Sequence, residues 1–164
     1  MTSSIASHNA AIGAILDAHK TLPGALLPIL HAIQDGIGHV PADAVPAIAT
    51  ALNLSRAEVH GVISYYHHFR QQPAGRHVLR VCRAEACQAN GANALLTHAQ
   101  QKLGCGLHET TADGAITLEP VYCLGQCAVG PAILIDNAEL HARVDAAGFD
   151  AIADALANPL RSAT

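Results

Sequence analysis

The residues of this chain that could do chemistry are four cysteines, arranged as two close pairs. Cys82 and Cys87 are separated by four residues, Cys123 and Cys127 by three, and 35 residues lie between the pairs. Thiolates in this number suit zinc or an iron–sulfur cluster. Because the pairs stand at the two ends of a domain-sized span, we expect them to converge on one metal centre.

The cysteine spacing leaves three kinds of site open. Structural zinc sites usually use pairs spaced by two residues, in ribbons or knuckles that have no other core. A catalytic dithiol also favours a spacing of two. The observed spacers therefore favour an iron–sulfur cluster, with a zinc site and redox thiols or a disulfide as the alternatives.

The remaining cysteine and the histidines give no second site. Cys105 lies between two glycines and is expected to be a bystander thiol. The eleven histidines share no ligand spacing, and the adjacent His67 and His68 would point to different faces of a helix. With no Ser/His/Asp constellation and no phosphate-binding loop, the sequence predicts no catalytic residue.

Composition excludes several classes of partner. The net charge is −4, no run of Lys or Arg occurs and Trp is absent, so we expect no nucleic-acid partner. No apolar stretch reaches the roughly 18 residues that span a bilayer, so we expect no direct membrane insertion. The first nine residues do not resemble a secretory signal, which predicts a cytoplasmic protein. In that compartment, paired cysteines are more often metal ligands than structural disulfides.

The first 74 residues have a helical pattern, with apolar positions recurring at helical spacing in four segments. Leu22-Pro23-Gly24 breaks the first segment. Pro41 is expected to open the third helix, where its missing N–H costs little. Ser55 and Glu58 form a capping box at the start of the fourth. The pattern predicts a small helical bundle as an N-terminal domain, residues 1–74.

After the Pro73-Ala74-Gly75 step the period changes. A strand is predicted at 77–81, a helix at 90–103, a hairpin turn at Asp113-Gly114, further strands at 132–135 and 140–144, and a final helix around 149–156. Each cysteine pair is expected where a strand ends and a loop begins. The whole chain is therefore predicted as α+β, with a compact α/β domain over residues 75–164.

The motifs of both halves resemble one known family. The four-cysteine spacing and the Cys123-Leu124-Gly125-Gln126-Cys127 loop are similar to the thioredoxin-like [2Fe–2S] ferredoxins, in particular the 24 kDa subunit of the NADH-oxidising module of respiratory complex I. Residues 27–30, 38–41 and 59–66 resemble the N-terminal segment of that family. The resemblance implies a thioredoxin-like second domain and a [2Fe–2S] cluster held by Cys82, Cys87, Cys123 and Cys127.

Two stretches, 66–70 and 82–88, look most like the gamma subunit of soluble, NAD-dependent, molybdenum-containing formate dehydrogenases. That likeness implies an electron-transfer subunit with no catalysis of its own. It would exchange single electrons with the FMN of an NAD-binding beta subunit, which also carries a [4Fe–4S] cluster, beside an alpha subunit that holds the molybdenum cofactor. Tyr65 and Tyr66 are expected either in a partner surface or in the core.

Three alternative functions remain. The first is the small diaphorase subunit of complex I or of an NAD-linked hydrogenase. The second, from another class, is a zinc-stapled interaction module without a redox role. The third is a thiol–disulfide enzyme, for which the cysteine spacing is poor.

Overall fold

The computed structural model describes residues 2–158, with side chains from residue 8 onward. The chain forms two compact units that divide between Pro73 and Ala74. Whether each unit folds by itself, as the predicted domains 1–74 and 75–164 imply, stays a prediction.

The first unit contains four helices, as the apolar periodicity predicts. They are α1 (Thr2–His19), α2 (Leu26–Ile37), α3 (Ala44–Leu52) and α4 (Arg56–Tyr65). Helix α1 packs against α2 and α3, and α3 packs against α4. The apolar faces meet in one core, whose fully buried members are Ile29, Leu30, Ile33, Val40, Ala44, Ile48 and Val59.

The helix boundaries follow local signals with one exception. The capping box is confirmed: the Glu58 N–H donates to Ser55 Oγ at 3.2 Å, and the Ser55 N–H donates to Glu58 Oε2 at 2.8 Å. The expectation that Pro41 opens α3 is wrong. The Pro41 carbonyl accepts from the Ala44 N–H at 3.0 Å, so Pro41 begins a turn and the helix starts after that turn.

The second unit is built on a mixed five-stranded sheet. Its strands are β1 (His77–Cys82), β2 (Glu109–Thr110), β3 (Ile116–Val121), β4 (Ala132–Ile135) and β5 (Glu139–Ala142), in the order β2-β3-β1-β4-β5. Strands β1 and β3 are parallel, and every other pair is antiparallel. The α+β class and the thioredoxin-like fold of this unit are confirmed.

In the described part of this unit, three α-helices accompany the sheet: α5 (Glu85–Ala89), α6 (Ala92–Leu103) and α7 (Ala146–Ala157). Helices α6 and α7 pack against each other, with a hydrogen bond between His98 Nε2 and Asp150 Oδ1 at 2.7 Å and an ion pair between Lys102 and Asp154 at 2.9 Å. Their apolar sides share a core with the sheet, whose fully buried members are Leu79, Val81, Ala99, Ala115, Ile116, Leu118, Ile133 and Phe149.

The α/β unit departs from the sequence prediction in three places. The helix predicted from residue 90 begins at Ala92, because Gly91 adopts φ +95° and separates α6 from the short helix α5. The two-residue strand β2 was not expected, and β5 ends at Ala142 rather than at 144. Within residues 2–158, no helix combines the length and the apolar character that crossing a bilayer requires.

Candidate metal centre

The first cysteine pair belongs to regular structure. Cys82 is the last residue of β1, and Cys87 lies in the middle of α5. The expectation that both pairs lie in loops that follow strands is therefore wrong for Cys87, since a one-turn helix follows Ala84 directly. Both residues are buried, with exposed fractions of 1% for Cys82 and 2% for Cys87.

The second pair lies in the loop between β3 and β4 and is exposed. Cys123 comes two residues after β3 and adopts φ +88°, a left-handed conformation unusual for a residue with a side chain. Cys127 begins a single 3₁₀ turn. The two sulfurs lie 3.7 Å apart, and the Gly125 N–H donates to Cys123 Sγ at 3.4 Å.

The sheet topology brings the two pairs to the same place. Because β1 and β3 are parallel, their carboxyl ends meet at one edge of the sheet, where Cys82 is in register with Val121. The Arg83 N–H donates to the Val121 carbonyl at 2.7 Å and extends this pairing by one residue. Hydrogen bonding from the backbone of Cys123 and Leu124 contributes to a lowered pKa of the Cys82 thiol, which places this loop beside its sulfur. Both pairs therefore lie at the same edge of the sheet.

The surroundings of Cys82 favour its thiolate. Burial opposes ionisation, but hydrogen bonds from the Ala84 backbone, the Cys87 thiol and the backbone of the second loop outweigh it, so the pKa of Cys82 is lower than usual. A sulfur that receives several N–H donors is suited to the negative charge of a metal-bound thiolate.

The pKa values of the Cys87 and Cys127 thiols are shifted in the opposite direction, upward. Burial and its hydrogen bond to Cys82 raise the pKa of Cys87, against a weaker opposing effect of the Ala132 N–H. The pKa of Cys127 is raised by its hydrogen bond to Cys123 and by the charge of that neighbour. In both cases one cause is the partner sulfur of the same pair, so the two members of each pair lie close together.

A zinc ion and a two-iron cluster arrange four cysteines differently. Among the described residues, no group of three or more His, Cys, Asp or Glu side chains is arranged to hold a single metal ion. A structural zinc ion needs four ligands around one point, at about 2.3 Å for sulfur. A two-iron cluster instead takes its cysteines as two pairs, one at each iron. The Cys123 and Cys127 sulfurs, 3.7 Å apart, are close enough to form one such pair.

The walls of the site are small and apolar. Cys82 and Cys87 are buried with Ala92 and Ala132, and three partly buried side chains pack around them: Ala84, Val121 and Leu124. The sequence from Pro120 to Ile135 contains no charged residue and no histidine. An apolar lining keeps water away from the buried pair and strengthens the hydrogen bonds to sulfur.

Cys105 lies apart from the other four cysteines. It is buried in the core between the helices and the sheet, among side chains that include Ala99 and Leu118. Burial and the nearby Glu109 carboxylate raise the pKa of its thiol. These surroundings suit a thiol that stays protonated and binds no metal.

Comparison with known proteins identifies the family. The model of the thioredoxin-like [2Fe–2S] ferredoxin family matches residues 12–157, which cover most of both units. A subunit of the NADH-quinone oxidoreductase of Pseudomonas aeruginosa is 42% identical over 113 residues, 69% of this chain and 68% of that protein. The corresponding protein of Escherichia coli K12, also part of NADH-quinone oxidoreductase, is 38% identical over 120 residues, 73% of this chain and 72% of the relative.

A solved structure is similar across both units. It is an NAD⁺-reducing [NiFe]-hydrogenase in the air-oxidised state, with a TM-score of 0.66 and 27% sequence identity. The match covers 88% of this chain but only 25% of the hydrogenase chain, so this protein corresponds to about a quarter of that polypeptide. The chain belongs to the thioredoxin-like [2Fe–2S] ferredoxins, a family that binds a [2Fe–2S] cluster, in the branch that includes the 24 kDa type of NADH-quinone oxidoreductase subunit.

Proposed function

We propose that this chain is an electron-transfer subunit of an NADH-dehydrogenase-like module and that Cys82, Cys87, Cys123 and Cys127 hold its cluster. The observation that carries the ligand assignment is the parallel pairing of β1 with β3, which puts Cys82 in register with Val121, two residues before Cys123. This pairing brings together two cysteine pairs that are far apart in sequence. No catalytic residue is assigned, and catalysis belongs to partner subunits.

The chain's own residues have separate roles in this function. The cluster supplies one-electron transfer, which needs little movement of its surroundings. Cys82 and Cys87 would anchor it from the buried side, while Cys123 and Cys127 would close it from the surface. The N–H groups of Ala84 and the second loop stabilise negative charge on sulfur.

The exposed side of the site is where a redox partner has access. Cys123 and Cys127 are exposed, and the neighbouring Tyr122 has an exposed fraction of 67%. The segment from Pro120 to Ile135 has no charged residue, and an uncharged segment with a prominent Tyr is typical of a protein interface. We infer that the partner is an NAD- and FMN-binding subunit that exchanges single electrons with this chain.

Two kinds of enzyme complex are candidates for the one that contains this chain. The named relatives are subunits of NADH-quinone oxidoreductase, and the similar structure is an NAD⁺-reducing hydrogenase, so we favour the small diaphorase subunit of such a complex. A formate dehydrogenase is the second candidate, supported by residues 66–70 and 82–88, which resemble its gamma subunit. It would add a beta subunit with a [4Fe–4S] cluster and an alpha subunit with molybdenum cofactor.

Purification of the native complex from its source by a tag on this chain tests the proposal. We expect an FMN-containing subunit to co-purify and NADH to bleach the visible absorption of the complex. Co-purification of a molybdenum-containing partner would show that the complex is a formate dehydrogenase. Co-purification of a nickel-containing subunit or of a quinone-reducing assembly would support the favoured assignment, a hydrogenase or NADH-quinone oxidoreductase. A chain that purifies with stoichiometric zinc, and without flavin protein or iron, would contradict the electron-transfer function.

A further inference from the structure

The loop that follows Cys127 brings a glycine backbone directly against Cys87. A β-carbon at Gly130 would lie 3.1 Å from Cys87 Sγ and 3.3 Å from Cys87 Cα, with Asn90 Cβ at 3.7 Å. The first two separations are shorter than ordinary van der Waals contact. Any side chain at position 130 therefore has to displace the Cys87 sulfur, or α5 as a whole.

The backbone conformation of Gly130 does not itself require glycine. Its φ of −68° and ψ of 166° lie in the extended region that every residue adopts. Gly125 and Gly91 differ, since both have positive φ and no atom would touch their β-carbons within 4 Å. At Gly130 the useful property is the missing side chain, which allows the close approach of loop and helix.

Cys87 has little freedom to escape such a contact. Its exposed fraction is 2%, its thiol is hydrogen-bonded to Cys82, and the Ala132 N–H donates to its sulfur. Packed interiors transmit a displacement to their neighbours instead of absorbing it. A side chain at position 130 would therefore change the spacing between Cys87 and the other thiols.

We propose that Gly130 is a positioning residue that sets the place of the Cys87 sulfur, and so the shape and the retention of the cluster. The inference rests on the proposed function, because that function makes Cys87 a ligand. Gly130 acts through Cys87 and touches no reacting group itself. We therefore predict that larger side chains at position 130 cause progressively larger changes in the spectrum of the cluster and progressively greater loss of iron.

The test compares Gly130→Ala and Gly130→Val in the full chain, prepared without oxygen. Iron per chain and the EPR spectrum of the dithionite-reduced protein are measured, and far-UV circular dichroism checks the fold. We expect Gly130→Ala to keep its iron with shifted g-values. We expect Gly130→Val to retain less than about half of the iron, since one ligand is forced out of place.

Gly75→Ala is the matched control. A β-carbon there would lie 3.0 Å from the Gly114 carbonyl oxygen, an equally tight contact, and Gly75 also lacks a positive φ. It stands before β1, at the end of the strand away from Cys82. We expect this variant to lower thermal stability while keeping the wild-type iron content and spectrum.

Three results would overturn the inference. One is a Gly130→Val protein with full iron and the wild-type spectrum, and another is a Gly75→Ala spectrum shifted as far as that of Gly130→Val. If Gly130→Val does not fold, an unshifted Gly130→Ala spectrum overturns it. A wild-type protein without a [2Fe–2S] signal would instead defeat the proposed function, before any glycine variant is compared.

Discussion

The two cysteine pairs of this protein differ in burial and in the structure that holds them. Cys82 and Cys87 are buried at the end of a central strand and in a short helix, whereas Cys123 and Cys127 are exposed in a loop. The fold itself fixes the buried pair. The exposed pair is held by a left-handed residue, a 3₁₀ turn and backbone N–H donors. The contrast indicates an anchoring side and a side open to partners.

The largest expected effect is that of replacing a cysteine of the buried pair. Cys87→Ser should abolish cluster binding, because a buried serine is both a poorer ligand and a polar group in an apolar wall. In the cluster-free protein, the buried hydroxyl should also lower the free energy of unfolding by about 1–3 kcal/mol. Iron analysis and urea denaturation measure the two effects.

Cys127→Ser is the matched variant on the exposed side. The serine hydroxyl stays hydrated there, so the cluster-free protein should keep its stability, and any cluster retained with an oxygen ligand should have an altered spectrum. Equal destabilisation by the two substitutions would show that the contrast in burial has no energetic consequence.

The difference in burial between the two pairs should also appear in the rates at which their thiols are alkylated in the cluster-free protein. Exposed thiols meet iodoacetamide directly, whereas Cys87 is buried and has a raised pKa because of that burial and its bond to Cys82. We expect Cys123 to be labelled faster than Cys87 by on the order of tenfold or more. Mass spectrometry of peptides after a short pulse measures both rates, and equal labelling would show that the first pair is open.

A smaller effect is expected from a change far from both pairs in sequence. Ser55→Ala removes the side-chain cap of α4 and should cost about 1 kcal/mol of stability, without altering the cluster spectrum. Thermal unfolding monitored by circular dichroism measures this cost. A shifted EPR spectrum in this variant would show that the helical unit acts on the metal centre.

The capping box also gives a pH dependence. Hydrogen bonds from Ser55 lower the pKa of the Glu58 carboxyl. Its stabilising contribution is therefore complete above the usual pKa of the group and is lost as pH falls through the lowered value. The wild type should lose more stability than Glu58→Gln over that acid range, and parallel losses would contradict the assignment.

The smallest expected effect is at Cys105. Cys105→Ser should leave iron content and spectrum unchanged, because the residue lies in the core away from the four cysteines. Loss of the visible absorption would show that the ligand set is wrong. Circular dichroism distinguishes that outcome from simple unfolding of the core.

Local signals predicted the fold better than they predicted the site. The capping box of Ser55 and Glu58 and the apolar periods are readable because neighbours in sequence create them. Helix α5 was missed because five residues cannot show a helical period, and the two-residue β2 exists only through its pairing with β3. The prediction for Pro41 was wrong because proline is as compatible with a tight turn before a helix as with the first turn of the helix itself.

From the spacing of the cysteines we expected two pairs that meet, but not the difference in burial between the pairs. Four sulfurs at these intervals look alike in sequence, and burial depends on which elements cover them. Cys87 is buried because the loop at Gly130 and the start of β4 press on α5, which is a tertiary effect. The positive φ of Cys123 has no sequence signal either, since glycine is the residue expected there.

The EPR spectrum of the dithionite-reduced protein, with iron and acid-labile sulfide measured on the same sample, tests the central claim most directly. We predict one signal from a single reduced [2Fe–2S] centre, with two irons and two sulfides per chain. A protein that is EPR-silent and contains one zinc ion per chain would contradict the account.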